Sequence, residues 1–309
     1  MTLLLYDFEF NLLAAEPKII KSKWTIYYNA IGTFEAHLPL ESELVKLIME
    51  NKYIVAVQKG YSAIIVGKEL RDELIIYGRT CNWLLSKRIT PAIELVSEDA
   101  CVLAENIVTS AFYDVGNFSF EGSSGSGIEF ECEENITSEV ITDCLGMAGL
   151  GHELCFDRGN KQWVFRLLYG AENDFIISEA HRNAYDTVFS SDILDLATCG
   201  RFSLKSDSGY ERTIFDGDTE KTGIYRWEAM LSGSSAAEAA VSYEKMREQS
   251  ELSVKVHDAA FGSEYSLGDI VRVQIIKGAY RTTVKKRIKG IEISFAQGTS
   301  FEQPILEDL

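Results

Sequence analysis

Trp24-Thr-Ile-Tyr-Tyr-Asn-Ala-Ile-Gly-Thr-Phe-Glu-Ala-His-Leu-Pro-Leu40 reads as two β-rich runs joined around Asn29 to Gly32 and closed by Pro39. Trp24, Ile26 and Tyr28 alternate along the first run, and Phe34, Ala36 and Leu38 along the second. A period of two puts each set on one face, so the stretch predicts a half-buried antiparallel pair, the lid of a small barrel or sandwich. A helical pattern follows at Leu44, Leu47 and Ile48 and ends at Asn51, after which strand patterns resume. Nothing in the stretch is chemically reactive.

The hairpin theme extends in both directions. Leu3–Phe8 and Phe10–Ala14 predict a hairpin with its tip near Asp7 to Asn11. Tyr53–Val57, Ser62–Leu70 and Glu73–Tyr77 predict three more strands, the last two joined at Arg71-Asp72. A short helical turn carries Trp83 and Leu84 into a core, and Pro91 ends this β-rich part. From Ser97 the period becomes about 3.6, with Ala100, Leu103, Ala104, Ile107, Val108 and Ala111 in one stripe and Ser97 as the expected N-cap. Gly116 to Gly127 has the composition of a mobile loop, and Ile128 to Glu133 alternates as a strand with an acidic face. A second helix carries Val140, Ile141, Cys144 and Leu145, with Thr137 or Ser138 at its start and Gly149 or Gly151 at its end. Asp157 to Asn160 then turns a hairpin between His152–Phe156 and Gln162–Leu168. The last third returns to strands, interrupted by a helix over 236–250 that opens on a capping box, Ser235 to Glu238.

Charge sets the boundaries. The 309 residues suffice for two or three domains of roughly 100–150 residues each. The formal charge is −17, from 30 basic and 47 acidic side chains. Residues 1–92 hold 11 basic and 10 acidic, 93–190 hold 4 and 18, and 191–309 hold 15 and 19. The expected architecture is therefore α+β and mainly β. Residues 1–92 form an N-terminal barrel-like domain, 93–190 an acidic α+β insert, and 191–309 a C-terminal β-rich domain with the single helix 236–250. The acidic balance argues against nucleic acid, whose binding needs Lys and Arg against phosphate, and against an anionic membrane surface. No apolar run reaches the ~18 residues of a membrane helix, and Met1 opens no signal-peptide pattern.

Reactive residue types do not cluster. Cys81, Cys101, Cys132, Cys144, Cys155 and Cys199 stand singly, as buried free thiols would. His37, His152, His181 and His257 are far apart, and His152 and Cys155 on one strand point to opposite faces, against a zinc site. Gly233-Ser234-Ser235-Ala236-Ala237 lacks the last glycine of a nucleophile elbow, and the helix cap accounts for Ser235. Gly146, Gly149 and Gly151 end a helix rather than opening one, the wrong polarity for phosphate. Asp216-Gly217-Asp218 and the row Glu129, Glu131, Glu133 have carboxylates that could hold a cation or act in pairs, and read more simply as solvated acidic faces. No catalytic, cofactor-binding or metal-binding residue is assigned.

Several segments, in order along almost the whole chain, resemble the baseplate or tail-hub proteins of long-tailed phages and prophages. They are Tyr6-Asp7-Phe8-Glu9-Phe10-Asn11-Leu12-Leu13, then Gly32 to Leu40, then Gly78-Arg79 with Leu84 to Ile89. Ser206-Asp207-Ser208 with Tyr210 follows, and Tyr265-Ser-Leu-Gly268-Asp269-Ile-Val271 completes the set. The resemblance implies barrel-like hub domains around an α+β insert, a homotrimeric ring at the virion tail tip, and no catalytic residues or cofactor. It also implies docking onto the distal tail protein or tail tube, with spike, fibre or tape-measure protein as neighbours. The acidic insert would then contribute to a lumen wall that repels DNA. Two other classes stay open from the residues alone, a tail-associated cell-wall hydrolase or peptidase using paired carboxylates, and a host-surface carbohydrate-binding module using Trp and Tyr faces.

Overall fold

A computed structural model of the chain describes residues 2–206, 209–216, 221–232, 239–240, 242–243, 246, 249–256, 261–296 and 299–309. The chain divides into two compact units, Met1–Asp186 with Val254–Leu309, and Thr187–Ser253.

The first unit is organised on the opening hairpin. Strands β1 (Leu3–Tyr6), β2 (Leu12–Glu16), β3 (Lys21–Tyr27) and β4 (Thr33–Leu38) are followed by helix α1 (Leu44–Glu50), then β5 (Val55–Gln58), β6 (Tyr61–Leu70) and β7 (Leu74–Thr80). Trp24 on β3 faces Phe34 on β4, their ring centroids 4.2 Å apart, and both are buried. The indole Nε1 donates to Gln58 Oε1 at 2.7 Å, so the largest side chain of the hairpin also satisfies its one polar atom. Asp7 closes the β1–β2 turn by accepting from the backbone N–H groups of Glu9 and Asn11 at 3.0 and 2.8 Å. That is the tip the sequence predicts.

The rest of this unit falls into two segments before the chain leaves it and a third after its return. The first is β8 (Ile89–Thr90), β9 (Ile93–Asp99), α2 (Ala100–Ala111), β10 (Phe118–Glu121), β11 (Gly127–Cys132) and β12 (Asn135–Ile136). The second is α3 (Thr137–Met147), β13 (Gly151–Asp157), β14 (Gln162–Leu168) and β15 (Glu172–Ser178). The chain passes through β16 (Ala184–Asp192) to the second unit, whose strands are β17 (Cys199–Ser206), β18 (Gly209–Asp216) and β19 (Glu228–Met230). It returns along β20 (Gln249–Val256) to β21 (Ile270–Lys277), β22 (Tyr280–Ala296) and β23 (Thr299–Glu307).

Both ends of the chain build one sheet. Its strands run in the order β16-β20-β23-β22-β3-β4-β7-β6-β5-β1-β2, with β21 also on β22 and β15 parallel to β21. The junction is the β3–β22 pair, in which Trp24 lies opposite Ile293 and Ile26 opposite Ile291. The α+β, mainly β class is as expected. The strand order runs open from β16 to β2, and no closed barrel occurs among the described residues.

Residues 93–190 share a core with what precedes them. Tyr6, Phe10, Ile64 and Leu85 pack in one buried cluster with Ala104, Ile141 and Phe165, and Phe10 stacks on Phe156 at 4.3 Å. The α2 stripe is buried at Ala100, Leu103, Ala104, Ile107 and Val108. Its cap is Asp99 rather than Ser97, because β9 pairs with β11 right up to the helix and only then frees a side chain, which accepts from Cys101 N at 2.7 Å. The same carboxylate holds Gly125 N, while the Tyr169 hydroxyl holds Ser123 N, so the glycine-rich loop is tethered at both ends. Neither Thr137 nor Ser138 caps α3. Ile136 stands at the N-cap without a side-chain bond, and Thr137 N donates to Arg88 O instead.

In the second unit β18-β17-β19 form a three-stranded sheet over a small core of Ala197, Phe202, Leu231, Ala239 and Tyr243. Of the expected helix 236–250, the pairs 239–240 and 242–243 are helical, Gln249 and Ser250 already belong to β20, and most of the remainder lies outside the described residues, as do Ser235 and Glu238 of the capping box.

Candidate assembly surfaces

Tyr28, just beyond β3, joins three distant parts of the first unit. Its hydroxyl lies 3.0 Å from the carbonyls of both Gly149 and Leu168 and accepts from Gly170 N at 3.1 Å. Burial raises its phenol above the usual range, so it stays a neutral donor. A Cβ on Gly151 would fall 2.2 Å from the Tyr28 carbonyl oxygen, and one on Gly268 2.2 Å from the Tyr28 ring. Asp269, buried next to Gly268, accepts from Ser266 N, Ala171 N and Asn173 Nδ2 at 2.9, 3.2 and 3.0 Å. The Gly268-Asp269 pair, part of the Tyr265–Val271 motif, is thus a docking point for β3 and for the entry to β15. The signal was the pair itself; its partner, 240 positions upstream, carried none.

The structure does not bring the sequence's titratable residues together. His37 on β4 lies between two carboxylates, its Nε2 2.7 Å from Glu35 Oε1 on the same strand and its Nδ1 against Glu73 in the β6–β7 turn. His152 is buried in a stack with Phe165, its Nδ1 without a partner among the described residues. Burial pulls its pKa down to about 4. His181 is exposed and His257 lies outside the described residues. Among the described residues no three His, Cys, Asp or Glu converge as metal ligands. All six cysteines are free, and burial pushes the thiols of Cys81 and Cys144 up to about 12. Gly149, in the left-handed region at φ +68°, follows the C-cap Ala148 and terminates α3. Asp216 ends β18, and Gly217, Asp218 and the segment from Gly233 through Ala237 lie outside the described residues.

What remains is surface. On β11, Ile128 and Phe130 turn inward while Glu129 and Glu131 turn outward, and Glu133 and Glu134 continue the exposed run. Beside them Ile136 lies opposite Ile89 across β12–β8, both exposed, and Leu95 of β9 is 65 % exposed. An acidic ladder next to an aliphatic patch suits a protein interface better than a small-molecule site. Among the described residues β2 is the far edge of the large sheet, with one backbone edge unpaired, and it exposes Leu12 and Leu13. Among the described residues no helix is long and apolar enough to cross a membrane.

No family model matches the chain, and no curated protein matches it. Solved structures do. The chain is similar to the tail protein from Neisseria meningitidis MC58, at 12 % identity and a TM-score of 0.62, covering 99 % of this chain and 96 % of that one. It is similar to the 43 kDa tail protein of prophage MuSo2 from Shewanella oneidensis, at 10 % identity and 0.61, covering 100 % and 98 %. It is also similar to prophage tail protein gp18 from Listeria monocytogenes EGD-e, at 15 % identity and 0.56, covering 98 % and 94 %. The chain therefore has the fold of phage and prophage tail proteins over nearly its whole length.

Proposed function

We propose that this chain is a structural protein of a phage or prophage tail tip, a baseplate hub that forms a homotrimeric ring. The observation that carries the reading is the tail-protein fold, matched from end to end. In this reading the ring joins the tail tube or distal tail protein to a spike or fibre, with the tape-measure protein as a further neighbour. It acts by geometry and without a cofactor, and it carries no enzymatic activity. The three sequence regions, 1–92, 93–190 and 191–309, divide the labour as β-rich framework, acidic insert and second β-rich part.

Two surface features support the ring. A sheet edge as open as β2, with Leu12 and Leu13 exposed, is commonly covered in an assembly. The outward carboxylates of Glu129 and Glu131 suit a lumen through which DNA passes without sticking. Light scattering on the purified protein over a range of concentration and salt tests the proposal. A stable trimer is expected, or one that forms as concentration rises. A monomer at every concentration, and still a monomer when mixed with the distal tail protein of the same phage, would remove the ring.

A further inference from the structure

Two motifs singled out in the sequence, Tyr6 to Leu13 and Leu84 to Ile89, meet in space around Phe8. The Phe8 ring stands edge-on to Tyr53 on one side, at 5.6 Å, and to Trp163 on the other, at 5.7 Å. A cleft opens on each side of it. One, of about 390 Å³, lies among Phe8, Tyr53, Val66, Lys68, Lys52 and Trp83. The other, of about 310 Å³, lies among Phe8, Lys87, Arg88, Phe112, Phe118 and Trp163. Three features separate this place from an ordinary exposed apolar patch.

The first is charge. The lining holds four cations and no carboxylate, in a chain of net charge −17. Lys68 spends its ammonium on the backbone carbonyls of Ile48, Met49 and Asn51 at the end of α1, which fixes the charge without neutralising it. Lys87 lies 4.5 Å over the Trp83 ring. Arg88 has an acidic partner, Asp114 at 2.9 Å, and among the described residues the other three have none. Asp7, next to Phe8, is turned into its own tight turn by Asn11.

The second is backbone strain. Tyr53 sits at φ +56°, a region that bulky side chains rarely adopt, and its ring is nevertheless 70 % exposed. The third is position, because Phe8 lines both clefts, so a segment crossing its ring meets one cleft and then the other.

We infer that these clefts dock an extended acidic segment of another protein, one apolar side chain in each cleft and its carboxylates against Lys52 and Lys87. Charge complementarity selects this occupant. A sugar would need free amide or carboxylate groups, and the one amide in the lining, Asn51, is spent on Leu47 O. The inference rests on the clefts themselves and stands whether or not the chain forms a ring.

The test uses the full chain and a pool of dye-labelled hexapeptides alternating glutamate with phenylalanine, leucine or tryptophan, read by fluorescence anisotropy. Saturable binding that weakens with salt is expected, together with about a tenfold loss in Lys52→Glu/Lys87→Glu. Tyr53→Gly removes the ring where glycine relieves the strain, so it should keep the thermal midpoint or raise it while losing binding about tenfold. Equal binding of peptides with lysine in place of glutamate overturns the proposal, as does binding untouched by either variant, or no binding. Peptide-independent self-association abolished by Lys52→Glu/Lys87→Glu would make a second copy the occupant, and binding to anionic vesicles alone would make it a membrane. Either result overturns the proposal as stated.

Discussion

The ring of Tyr28 fills the space that a Cβ on Gly268 would need, with its Cε2 2.2 Å from the ideal Cβ position. Gly268 also holds φ +87°, so two independent constraints demand glycine there. Gly268→Ala should cost about 3 kcal/mol or more, the sum of left-handed strain and overpacking. Gly278, at φ +62° with open space around it, isolates the first of these. Gly278→Ala should cost only ~1–2 kcal/mol in the same urea titration. Equal losses would mean that the Tyr28 contact gives way at little cost.

Tyr28→Phe keeps the wedge and removes the hydroxyl that faces Gly149 O, Leu168 O and Gly170 N. Leaving part-buried backbone groups unpaired costs about 1–3 kcal/mol. Hydrogen exchange at Gly170, followed by NMR, should accelerate in this variant and in no segment remote from the junction.

Asp99 both caps α2 and anchors the glycine-rich loop, through Cys101 N and Gly125 N. Asp99→Ala should destabilise by about 1–2 kcal/mol and open the loop at 122–126 to limited proteolysis. Ser97→Ala, at the position the sequence pointed to, should leave both readouts unchanged.

The difference between those two residues illustrates what the sequence could carry. The α2 stripe, the β3–β4 alternation and the Asp7 and Asp157 turns were legible because each is a local pattern of period or turn chemistry. The cap was missed because tertiary pairing of β9 with β11 extended a strand to the helix boundary and moved the start by two residues. The pairing of β3 with β22 was illegible for a related reason. Both strands show the right alternation, but nothing local names a partner some 270 positions away. The surfaces were the least legible part. Glu129 and Glu131 were read as an acidic face, whereas the clefts beside Phe8 draw on six separated segments and exist only once the core has formed.

His152 is neutral in the fold, its pKa lowered to about 4 by burial, whereas an unfolded histidine titrates near 6.5. Above pH ~6.5 both states are neutral and the residue adds no pH dependence. As pH falls from there toward 4, only the unfolded chain takes the proton, so stability declines, by roughly 3 kcal/mol in all. Denaturation curves at pH 7.5 and pH 4.5 should therefore converge in His152→Gln more than in the parent chain. An identical pH dependence in the two would show that other groups carry the acid sensitivity.

Cys81 and Cys144 are buried, and burial raises both thiols to about 12, while Cys132 is part-exposed. A thiol reagent such as DTNB should modify Cys132 first and reach Cys81 and Cys144 only at the rate of unfolding. Peptide mapping of the partly labelled protein gives the order directly.

The β3–β22 seam has a consequence for biosynthesis. The strand that completes the middle of the large sheet leaves the ribosome some 260 residues after the one it pairs with. Until residues 280–296 are translated, the nascent chain holds a hydrogen-bonding edge at β3 with no native mate, and long-range pairings of this kind form late and slowly. A polypeptide cut short by a nonsense codon or a stalled ribosome thus never acquires the finished sheet, and the cell's proteases receive it.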